Sequence, residues 1–86
     1  MAETPKIMDV EDAIIFEFCQ DFGGLEEGMP IIREQFKKVN MDFRTPTRDG
    51  LAKVVDQLVT VTKSMRGDEM AKKQRAKFAS LLKSLE

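Results

Sequence analysis

An all-α fold, a compact four-helix domain made of two helical hairpins, follows from three features of the sequence. Val10, Ile14, Phe18 and Phe22 recur every four residues, with Ile15 and Cys19 beside the row, and that period lines one face of a helix. Leu51, Val54, Val55, Leu58, Val61, Thr62 and Met65 fall in one arc, with Lys53, Asp56, Thr60 and Ser64 opposite, the pattern of a helix with one buried side. Glycines and prolines cut the chain into four such segments, with short links inside each half and one longer link between the halves. Short links make antiparallel neighbours, hence two hairpins. The 86 residues form one domain, 1–86, whose core is modest because a chain this short buries only about 60 to 65% of its unfolded surface.

Residues 1–8 are expected as a flexible tail. Asp9 before Val10, with Asp12 three residues on, has the form of an N-cap with an acidic first turn, which suits the positive end of the helix dipole. The run IIFEF favours a strand by residue type and by its alternation of Ile14, Phe16 and Phe18. The cap and the length of the four-residue row outweigh it. Gly23 and Gly24 end the helix, since glycine tolerates the left-handed conformation at C′. Leu25, Met29, Ile32, Phe36 and Val39 then form a second stripe. Pro30 lacks the N–H that an interior turn needs, so the second regular helix is expected to begin with Pro30 at N1, after a loose turn through Glu26–Met29, and to run to about Asn40.

Residues 41–47 connect the hairpins, and Thr45 or Thr47 is the candidate N-cap of the third helix. The β-branched stretch LVTVT weakens that helix only locally. Gly67 punctuates, Asp68 is the expected cap of the fourth helix, and Ala71, Gln74, Phe78, Leu81, Leu82 and Leu85 make its apolar side.

With 42% hydrophobic and 34% charged residues, evenly spread, the chain is globular rather than disordered. Its N-terminus is acidic where a secretory signal would be basic and then apolar, and no run approaches the roughly 20 apolar residues of a membrane span. One cysteine and no histidine leave no internal disulfide and no zinc cluster, which fits a reducing compartment, the cytoplasm. Charge is polarised: residues 1–43 carry four Lys/Arg against ten Asp/Glu, and residues 44–86 carry ten against five. That dipole can be matched inside a monomer or between the chains of a small homo-oligomer.

Catalytic signatures are absent. Cys19 has no basic neighbour in sequence, and Glu17 and Asp21 flank it, so it reads as an inert core thiol. Asp21, Phe22 and Gly23 spell the kinase metal-binding triplet, but the glycine-rich loop, strand lysine and catalytic loop that give it meaning are missing. Arg66, Gly67 and Asp68 spell an adhesion triplet that a helix end followed by a helix start explains. The carboxylates Asp9, Glu11, Asp12, Glu17, Asp21, Glu26 and Glu27 lack the order of a calcium loop. No catalytic residue, metal or cofactor is therefore expected, and the protein is read as no enzyme.

Two surfaces remain. Phe16 and Ile31 lie off their helices' core stripes, and Met41 and Phe43 lie in the connection; together they suit an apolar patch for a protein partner. If so, Ile31→Lys should preserve the fold. The expected function is a small non-enzymatic protein-interaction module, accessory or regulatory. The alternative is a nucleic-acid-binding accessory protein: Lys72, Lys73 and Lys83 fall opposite the apolar side of the fourth helix, and Arg75 and Lys77 flank it, a basic face that phosphates could approach. No aromatic is interleaved there to stack on bases.

Overall fold

The computed structural model describes residues 6–85. These residues form four helices, α1 (Lys6–Asp21), α2 (Leu25–Lys38), α3 (Arg48–Arg66) and α4 (Asp68–Lys83); the short links after α1 and α3 turn the chain back, and α1 and α4 meet antiparallel, Glu17 with Lys77 and Asp21 with Gln74. Gly28 of α2 lies against Cys19 of α1, Thr62 of α3 bonds Gln74 of α4, and Lys77 of α4 pairs with Glu17 of α1. The expected all-α domain of two hairpins is thus what the chain forms, and α3 and α4 make the most extensive pairing.

Helix α1 starts earlier than expected. Lys6–Met8 are helical and Asp9 sits in the first turn rather than at the cap, because the apolar row continues back to Ile7, which packs on the core. The rest of the expected tail, residues 1–5, lies outside the described residues. The end of α1 follows the glycine logic. Gly23 has φ 91°, and the N–H of Gly24 donates to the Cys19 carbonyl at 2.8 Å, the long bond of a Schellman cap.

Helix α2 departs most from expectation. Pro30 stands inside it, not at N1. The Gly28 N–H donates to the Gly24 carbonyl at 3.0 Å, so the turn ahead of the proline is already regular. Pro30 costs little this early in a helix because the carbonyl it leaves unserved belongs to exposed Glu26, where water can bond it. At the other end Asn40 takes φ 58°. The Met41 N–H donates to the Phe36 carbonyl and the Asn40 N–H to the Lys37 carbonyl, at 3.0 and 3.1 Å. Asparagine does here what glycine does after α1.

Thr47, one of the two candidates, caps α3, its Oγ1 accepting from the Gly50 N–H at 3.0 Å. Gly67, not Asp68, occupies the cap position of α4. Its φ of 97° lets one residue reverse the chain, and Asp68 becomes the first helical residue, at the positive end of the dipole.

The core joins Ile14, Phe18, Ile32, Leu51, Val54, Leu58 and Phe78, all buried. Phe18 stacks on Phe22 with ring centroids 4.5 Å apart. Val59 is buried although it falls outside the expected arc, on the side of α3 that faces α4 with buried Ala71 nearby. Met65 falls inside the arc but is exposed, in the last turn of α3 where the chain reverses through Gly67 into α4. Leu25, the expected start of the α2 stripe, is likewise exposed at the first helical position. Thr62 and Gln74 carry polar atoms into the core and satisfy each other there. The Thr62 hydroxyl lies 2.8 Å from Gln74 Oε1 and 3.0 Å from the Leu58 carbonyl. Gln74 Nε2 donates to Asp21 Oδ2 at 3.1 Å, which ties α4 to both α1 and α3.

Candidate functional site

Of the four residues expected to meet a partner, one is fully presented. Phe16 is 56% exposed in the middle of α1. Ile31, Met41 and Phe43 are half-buried and pack against the core. The Phe43 ring stacks on Phe36 with centroids 4.1 Å apart, and Met41 Sδ fills the space beside Gly50 where a side chain would otherwise stand. The connection therefore uses its apolar residues to close the end of the bundle. Ile31→Lys would exchange an apolar contact for a methylene stem that can still lie along the core edge while its ammonium reaches water.

The register of the first hairpin puts Phe16 back into company. With Gly28 against Cys19, each step back along α1 matches a step forward along α2, and Phe16 comes level with Ile31. Around this pair the surface is acidic. Asp12 lies one turn from Phe16, Glu27 and Glu34 lie one turn to either side of Ile31, and all three are exposed.

The basic face of α4 is exposed along its length, as expected for Lys72, Lys73, Arg75, Lys77 and Lys83. Two of the five are engaged: Arg75 with Asp56 and Lys77 with Glu17, each at 3.3 Å. The acidic first half and the basic second half are thus matched in part within one chain, by exposed pairs worth about 0 to 1 kcal/mol each. A cleft of about 570 Å³ runs between the end of α1 and α4, lined by Asp21, Arg66, Glu69, Met70, Lys73 and Lys77 among others. Its charges are mixed, and the Arg66 guanidinium is turned over the Phe22 ring, 5.1 Å from its centroid.

Cys19 is buried, and burial raises its thiol pKa, the opposite of what a nucleophile needs. A thiol reagent should therefore label the native protein at least about 100-fold more slowly than the protein in denaturant, since access requires opening of the α1–α2 seam. Equal rates in the two conditions would place the thiol at the surface. Among the described residues no group of three His, Cys, Asp or Glu side chains is arranged to hold a metal ion, and no helix is long and apolar enough to cross a membrane.

Three features escaped the sequence reading. Gly28 is buried where α2 lies against Cys19 of α1, and its spacing from other small residues gives no sign of this. Glu11 and Gln35 are buried, though their residue types predict solvent. Only for Glu11 was a signal present: it lies one residue after Val10 and three before Ile14, within the core arc of α1. No protein family, curated protein or solved structure matches the chain.

Proposed function

We propose that this protein is a non-enzymatic interaction module, accessory or regulatory, that binds another protein along the outer side of the α1–α2 seam. The observation that carries the reading is Phe16, a large apolar side chain left 56% exposed at mid-helix and level with half-buried Ile31. An aromatic anchor with an acidic rim of Asp12, Glu27 and Glu34 suits a basic amphipathic helix: apolar contact supplies affinity, and the rim supplies orientation and association rate. The lone buried thiol suits the reducing cytoplasm, where we place the protein.

The second reading, nucleic-acid binding, has its support in Lys72, Lys73 and Lys83, exposed along one face of α4. One experiment separates the two. Wild type, Phe16→Lys and a Lys72/Lys73/Lys83→Ala variant are used as bait in native lysate, with and without nuclease, and bound proteins are identified. The expected result is a nuclease-resistant partner with a basic amphipathic helix, kept by the lysine variant and lost with Phe16→Lys, whose melting temperature should stay within about 2 °C of wild type because the side chain faces solvent. A partner lost with nuclease or with the lysine variant would favour nucleic acid instead. Retention by Phe16→Lys would remove this face from the reading.

A further inference from the structure

Glu11 is the only buried acidic residue among the described residues, 3% exposed. Its Oε2 has no hydrogen-bond partner, and neither has Oε1 of Gln35, itself 3% exposed. The register fixed by Gly28 against Cys19 brings these two side chains to one level, since eight residues back along α1 and seven forward along α2 cover about 12 and 10 Å. Both orphaned atoms are acceptors. Facing Gln35 Oε1, an ionised Glu11 sets acceptor against acceptor, whereas a protonated Glu11 supplies an O–H that this oxygen can accept.

The charges around Glu11 act in the same sense. Asp12 on its own helix and Asp42 in the connection both raise its pKa, after burial itself, from the ordinary 4.5 to about 7. Asp42 is held in place by Arg44, whose N–H donates to Oδ1 at 2.8 Å. Helix α2 offers uncharged Gln35 at this level, its Lys37 and Lys38 being exposed, and Arg48 and Asp49 in the first turn of α3 are exposed as well.

The geometry points to Glu11 as a protonation switch in the fold: protonated, it donates a hydrogen bond in the α1–α2 seam, with Gln35 Oε1 as acceptor, and keeps the seam and the 41–47 connection closed; ionised, it draws in water and releases them. The sign follows from linkage. The closed state holds the proton more tightly than the open or unfolded chain, so closure is fully favoured below pH 4.5, loses ground as pH rises to about 7, and is flat above that.

Two measurements test the switch. NMR titration of the Glu11 side-chain carboxyl carbon reads its protonation, and hydrogen exchange of amides 10–14 and 35–43, corrected for intrinsic rates, reads opening in wild type and Glu11→Gln. The carboxyl should titrate well above the ordinary carboxylate range, and the opening constant of wild type should rise roughly 30-fold between pH 5.5 and 8.5. Glu11→Gln, which keeps a donor and cannot ionise, should show no such rise. A carboxyl midpoint in the ordinary range overturns the proposal, as does an equal rise in the variant. A high midpoint with pH-independent exchange also overturns it, because the proton then controls no opening. The titration and the wild-type exchange need no variant, so they decide the matter if Glu11→Gln does not fold.

Discussion

Phe18→Ala should lower the unfolding free energy by about 3 to 5 kcal/mol, the usual cost of removing a buried phenylalanine and leaving a cavity that cannot fully collapse. Phe18 has no accessible surface and stacks on Phe22, so the loss combines transfer energy, cavity and ring contact. For a chain of 86 residues total stability is on the order of 4 to 13 kcal/mol, and this one change removes a large share of it. Urea unfolding followed by circular dichroism checks it: the midpoint should fall by about 2 M or more at unchanged m-value, or the variant should be unfolded in buffer. A loss below about 1 kcal/mol would mean that the α1 face is not packed as described.

Gly28→Ala should destabilise by about 2 to 3 kcal/mol, against the trend for its residue type. In a helix interior alanine is normally favoured over glycine by about 0.8 to 1 kcal/mol. Here an added Cβ would stand 2.5 Å from Cys19 Sγ and 2.8 Å from Cys19 Cα. The first contact could be relieved by a change of side chain and the second could not, because it is backbone. The helices must separate, and overpacking of that kind costs about 1 to 3 kcal/mol beyond the propensity gain it cancels. The double variant Cys19→Ala/Gly28→Ala tests this reasoning: it should recover only part of the loss, since Cys19 Cα remains. Thermal unfolding of the two single variants and the double one is sufficient. A stabilised Gly28→Ala would show that the helices stand further apart.

Much of the fold was legible because it rests on local rules. Helical periodicity marked all four segments. Gly23 and Gly67 marked two ends through the conformations that only glycine adopts without strain, and Thr47 marked a start through its side-chain oxygen. The misreadings share a cause as well. The rule for an isolated helix puts Pro30 at N1, but its place near the start of α2 leaves only the exposed Glu26 carbonyl unserved. Asp9 looked like a cap because its side chain can serve as one, while Ile7 held the helix open for another turn by packing on the core.

What the sequence determined by itself, then, was the set of helices and the order of the hairpins, since each depends on residues within a few positions of one another. Tertiary structure alone decided which apolar side chains stay exposed. Phe16, Met65, Met41 and Phe43 are equally apolar in sequence, but the connection folds the last two onto the bundle, Met65 stands exposed where α3 turns into α4, and Phe16 stays exposed with no other described residue burying it. It also decided that Glu11 and Gln35 are buried, each with one unpartnered oxygen. Burial is a property of the pairing between helices, and periodicity along one helix fixes a face without fixing what covers it.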